Sequence, residues 1–187
     1  MVFAIALAVA ACSGEDPGVP RAPDGAPLLL TVAEQGDLTT LDDLLARRQI
    51  LVDVRDSCDW TPLMKAALNG HLEAAARLIM AGAAIDAEDS GGYTALMLAA
   101  SNNHRTVVEY LLAEGAMVDH QESTQGVTAL IWAAKLGHRE TLGTLIDGGA
   151  DITLRDFSGR RAADWAAENG FDEIAAWLAA HHPDEAG

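Results

Sequence analysis

Aromatic residues make up only 5% of this 187-residue chain, and Lys and Arg number 12 against 28 Asp and Glu, leaving a net charge of −16. So little ring bulk excludes a core of large interlocking aromatics. Half of the residues are apolar and Ala dominates them, which suits closely spaced helices. The shortage of cations argues against nucleic acid, whose binding depends on Lys and Arg neutralising phosphates, and no run of either residue occurs. Catalytic signatures are missing too: there is no Gly-x-Ser-x-Gly elbow, no His-Glu-x-x-His and no Gly-x-x-x-x-Gly-Lys. The expectation is therefore no enzyme, no cofactor and no metal site. The apolar run Met1–Ala11 would rise about 16 Å as a helix, short of a bilayer core of roughly 30 Å, so it is not expected to span a membrane.

What the chain does have is one pattern repeated. Thr94-Ala95-Leu96-Met97-Leu98-Ala99-Ala100 returns 34 residues later as Thr128-Ala129-Leu130-Ile131-Trp132-Ala133-Ala134. It stands 33 residues earlier as Thr61-Pro62-Leu63-Met64-Lys65-Ala66-Ala67, and a degraded copy follows as Arg161-Ala162-Ala163-Asp164-Trp165-Ala166-Ala167. Turn signals keep step at Gly70-His71, Asn103-His104, Gly137-His138 and Gly170-Phe171, and again at Gly82, Gly115 and Gly149. A fixed period near 33 means a stack of equal units rather than one central core. Within each unit Thr61, Thr94 or Thr128 is placed to cap a first helix, with Pro62 in the first turn of one of them. Second helices are expected over 72–81, 105–113, 139–147 and 172–179, each of the first three ended by its Gly. One extra residue within 120–125 predicts a longer loop tip before Gly126. A first, atypical unit is expected over 28–47, with helices over 28–35 and 38–47. His71, His104 and His138 recur about a repeat apart, too far for a shared metal, and are expected to hydrogen-bond at helix starts.

These residues resemble the ankyrin repeat, a turn plus two antiparallel helices per unit. The resemblance implies an all-α solenoid with β-hairpin-like connecting turns, over five units at 28–55, 56–88, 89–122, 123–155 and 156–182. It also implies a concave face, lined by loop tips and inner helices, that binds another protein. Mapped onto this chain that face holds Trp60, Leu68, Asn69, Tyr93, Ser101, Asn102, Val127, Lys135, Leu136 and Arg160, with Trp60 and Tyr93 as aromatic anchors. Trp132 and Trp165 are expected to serve the core. The chain is expected to act as a monomer.

The first residues resemble a bacterial lipoprotein signal: an apolar run, then Val9-Ala10-Ala11-Cys12, although no positive segment precedes it. That resemblance implies lipidation of Cys12, membrane attachment through it, and a place in the periplasm or cell envelope at the outer membrane. Residues 13–27, with four Pro and three Gly, read as an extended tether, and 183–187 as a polar tail. Two other readings fit the same residues. One is an envelope accessory in metal or redox stress using Cys58 and the His181-His182 pair. The other is a secreted effector directed at a host protein.

Overall fold

The computed structural model describes residues 27–47 and 50–181, so Cys12, positions 13–26 of the expected tether, His182 and the 183–187 tail lie outside the described residues. Ten α-helices are found among the described residues, and they pair in sequence. The first helices are α1 (Leu28–Gln35), α3 (Pro62–Leu68), α5 (Ala95–Ser101), α7 (Ala129–Lys135) and α9 (Ala162–Glu168). Their partners are α2 (Leu38–Leu45), α4 (Leu72–Met80), α6 (Arg105–Ala113), α8 (Arg139–Asp147) and α10 (Asp172–Ala180). Each first helix packs on the next first helix, so α1, α3, α5, α7 and α9 form one layer; α2, α4, α6 and α8 form a second behind it. The expected all-α stack is what folds.

The inner layer is built on small residues. Ala67, Ala100 and Ala134 are each 0% exposed within the layer of packed first helices. Leu63, Leu96 and Leu130, with Leu78, Leu111 and Leu145 from the second helices, fill the space between the layers. Thr61, Thr94 and Thr128 start their helices as expected, each hydroxyl accepting the N–H three residues on, at 3.3, 3.5 and 3.2 Å. In the last unit Arg161 cannot accept, and the bond runs backwards: Asp164 accepts the Arg161 N–H at 2.8 Å. The second helix ends at Leu45, two residues before the expected boundary, where the N–H of Arg47 closes a tight turn on the carbonyl of Leu44.

Three sets of polar bonds stitch neighbouring units. His71, His104 and His138 do not bond at their own helix starts as expected. Each Nε2 lies 3.0, 2.9 and 3.1 Å from a carbonyl of the preceding unit, on Glu34, Leu68 and Ser101. The His104 imidazole lies against Gly70 of the preceding unit, whose left-handed backbone at φ +73° would place a Cβ 2.5 Å from the ring; in the unit before His138 the same left-handed position is held by Asn103. The second set runs from Asp53, Asp86 and Asp119, which accept the N–H of Ala84, Met117 and Asp151 in the next unit. The third set joins the loop tips, with the N–H of Ser90, Ser123 and Phe157 donating to Cys58, Gly91 and Gln125.

Each tip is itself folded around one carboxylate. Asp56 Oδ1 accepts from the N–H of Cys58 and Trp60, Asp89 Oδ1 from Gly91 and Tyr93, and Asp156 Oδ1 from Ser158 and Arg160. The tip with the extra residue spans Glu122 to Val127, and there a longer side chain takes the place of Asp. Glu122 Oε1 accepts from Gln125 at 2.7 Å and Val127 at 3.1 Å, and Oε2 from the Thr124 N–H at 2.6 Å and its hydroxyl at 2.5 Å. One added residue in the loop is matched by one added methylene in the acid that organises it. Burial pushes the Glu122 carboxyl up, but the bonds from Thr124, Val127 and Gln125 outweigh it and hold the group below its ordinary value.

Candidate protein-binding face

The tips and inner helices present one surface whose residues fall into rows set by the repeat. The first row is Trp60, Tyr93, Val127 and Arg160; the second is Lys65, Leu98, Trp132 and Trp165; the third is Leu68, Ser101, Lys135 and Glu168. Trp60, Leu68, Tyr93, Lys135, Leu136 and Arg160 are half-buried and keep a free edge, while Asn69 and Asn102 are exposed. Two expected contact residues are withdrawn from this surface. Val127 is 0% exposed and belongs to the core cluster, and Ser101 is 6% exposed with its hydroxyl donating to the Leu98 carbonyl. Neither offers side-chain surface to a partner. The amides of Asn69 and Asn102 are engaged locally, each Nδ2 donating at 2.9 Å to the carbonyl four residues back, on Lys65 and Leu98.

Cations and rings alternate along the face. The Lys65 ammonium lies 4.8 Å from the centre of the Trp60 ring, and it also meets Asp56 at 3.7 Å. Tyr93 tilts against Trp132 with ring centres 6.2 Å apart. Lys135 lies between Trp132 and Trp165, at 4.9 and 4.0 Å from their ring centres, and Arg160 covers Trp165 at 3.6 Å. Glu168 closes the row with a 2.8 Å bond to Arg160. Such contacts fix long side chains in place, so less rotamer freedom remains to be lost on binding. Trp165 is a core residue as expected, its Nε1 donating to the buried carboxylate of Asp156 at 2.8 Å. Trp132 is only half-buried and shares its ring with this surface. Its position in the repeat had pointed to the core. The signal that placed it otherwise was present: Lys135 follows it by three residues, one helical turn away, and the repeat puts Trp165 beside both.

Other singled-out residues do not gather. Cys58 is half-buried within its tip. His181 sits against the Trp177 ring at 4.6 Å and bonds the Trp177 carbonyl at 2.7 Å. Among the described residues, no group of three or more His, Cys, Asp or Glu is placed to hold a metal. No helix among the described residues is long and apolar enough to cross a membrane.

A family model for ankyrin repeats in three copies matches residues 28–122 and 114–186. The chain belongs to the ankyrin-repeat family. Similar proteins include Ankyrin repeat domain-containing protein 49 of Bos taurus, 45% identical over 62 residues, covering 33% of this chain and 26% of the relative. The same-named human protein is 42% identical over 62 residues, with the same shares. Calmodulin-binding transcription activator 6 of Arabidopsis thaliana is 43% identical over 61 residues, covering 29% of this chain and 7% of the relative. The match thus spans about a quarter, or less, of the curated relatives' length, and it says what kind of repeat this is. Ankyrin repeats are in general binding scaffolds for proteins, and nothing positive marks this member as an enzyme.

Proposed function

We propose that this ankyrin-repeat protein is exported, held at the membrane of the cell envelope through a lipidated Cys12, and binds another protein with its concave face. The observation that carries the binding part is the alternating row of rings and cations from Trp60 and Lys65 to Trp165 and Arg160. Tyr, Trp and Arg are the residue types in which binding energy concentrates at interfaces. Here they are held by mutual contacts on a rigid stack, so a partner meets a surface already in its bound shape. The export part rests on the signal-like sequence that ends at Cys12.

Affinity capture from envelope extracts, with the double variant Trp60→Ala and Tyr93→Ala beside the wild type, tests the face. Loss of the captured protein with an unchanged helical circular dichroism spectrum is the expected result. Retention of the same partner by the variant removes the concave face from the account. Fatty-acid labelling of wild type against Cys12→Ser tests the anchor, and equal labelling of both would end that part.

A further inference from the structure

Asn occurs four times in the chain, and twice a Gly follows it, at Asn69-Gly70 and Asn169-Gly170. The two pairs hold one place in the repeat, the turn between first and second helix. Asn69 closes α3 at ψ +3° and Asn169 closes α9 at ψ +7°. Both are exposed, and each Nδ2 donates at 2.9 Å to the carbonyl four residues back. Each Gly is left-handed, at φ +73° and +81°, and gives its N–H to Ala67 or Ala167. Inside the turn the two pairs are alike.

They differ in what lies on them. A Cβ on Gly70 would stand 2.5 Å from the His104 ring, and His104 Nε2 lies 2.9 Å from the carbonyl of Leu68, the residue before Asn69. Unit three thus clamps the turn of unit two at two points. Gly170 is exposed, with nothing within 4 Å of the same Cβ position, and among the described residues no helix follows α10 to cover it.

We propose that Asn169 is a site of self-modification, a deamidation through Gly170 from which Asn69 is protected. The Gly170 nitrogen attacks the Asn169 side-chain carbon. The new C–N bond closes a cyclic imide, and the C–Nδ2 bond breaks to release ammonia. Water then opens the imide at either carbonyl, leaving aspartate or isoaspartate, so that one water is consumed for each ammonia lost. Gly suits the attack because no Cβ hinders its nitrogen and its backbone turns freely. Closure needs that nitrogen eclipsed with the Asn Cβ, whereas at ψ near 0° it eclipses the Asn's own nitrogen, so the turn must open first. In unit five the opening breaks no contact with a following unit; in unit two it must lift the turn off His104. The product puts a negative charge at the carbonyl end of α9, where the helix dipole disfavours it, and isoaspartate adds a methylene to the backbone of the turn. Unit five, which carries Arg160 and Trp165, is the part that loosens.

The test holds the full chain at mildly alkaline pH, folded and in parallel in urea, and samples both over time. Brief pepsin digestion in acid, where ring closure is slow, precedes mass spectrometry of the amide-to-acid change at each Asn. In the folded chain Asn169 should convert at least about tenfold faster than Asn69, the ratio for about 1.4 kcal/mol of extra opening free energy at the clamped turn. In urea the two should convert at the same rate. His104→Ala, checked for unchanged helical signal, should bring Asn69 up toward the rate of Asn169. Equal rates in the folded chain, a faster Asn69, or an Asn169 that converts in urea but stays intact when folded would each overturn the proposal. Continued protection of Asn69 in His104→Ala would overturn the clamp on which the difference rests.

Discussion

The pairing of a six-residue tip with Glu122 can be broken from either side and then restored. Glu122→Asp shortens the side chain by one C–C bond, about 1.5 Å. Contacts now at 2.6 to 3.1 Å from Thr124, Gln125 and Val127 would stretch past hydrogen-bond range for at least one oxygen. The Thr124 and Gln125 N–H groups lie on exposed residues and can turn to water. Val127 is wholly buried, and its N–H left unmatched costs about 1–3 kcal/mol. The single variant should therefore lose about 2 kcal/mol, or roughly 4–8 °C in Tm at about 2–4 °C per kcal/mol for a domain of this size. Deleting Thr124 alone leaves a long acid in a short tip and should destabilise to a similar degree. Together the two changes give Asp-Ser-Gln-Gly-Val, a tip of the same length and first residue as Asp89-Ser90-Gly91-Gly92-Tyr93. The inter-unit bonds of Ser123 and Gln125 keep their places in it. The double variant should recover most of the loss, a coupling of about 3 kcal/mol in urea unfolding followed by circular dichroism. Losses that simply add would refute the idea that acid length and tip length are matched.

Gly70 and Gly170 share a left-handed backbone, at φ +73° and +81°, but only Gly70 faces a ring of the next unit. Gly170→Ala should cost about 1–2 kcal/mol, the left-handed penalty alone, whereas Gly70→Ala should cost about 1–3 kcal/mol more from its collision with His104; equal midpoints in urea would show that the ring contributes nothing. His138 is held below its ordinary 6.5, first by burial and then by the nearby His104, against the bond to Ser101 that raises it. The unfolded chain then binds the proton more readily than the folded one, so this part of the stability is full above pH 6.5 and is lost as pH falls below it. His138→Phe, which copies Phe171 of the last unit, should flatten that slope between pH 7.5 and 5.5, and an unchanged slope in urea titrations would contradict it.

The repeat itself was legible before any coordinates. A 33-residue period, Thr at helix starts, Gly at helix ends and Ala pairs between units are local or strictly periodic signals, and each landed where the period put it. Ala67, Ala100 and Ala134 are wholly buried, and Thr61, Thr94 and Thr128 cap their helices. The longer tip before Gly126 was readable too, as a count of residues. Its consequences were not. That Glu122 would be consumed by its own loop and that Val127 would turn inward depend on distances between side chains in a tip one residue out of phase.

The histidines show the same division. Their recurrence marked a turn, but the atom each one bonds belongs to the preceding unit, 36 or 37 residues back. Sequence pattern reports periods along a chain, because helix caps and turns are satisfied within a few residues. It determined here that equal helical pairs would stack and in what register. Which donors find acceptors across the stack is decided only when neighbouring units are set side by side, because those bonds join residues a whole repeat apart.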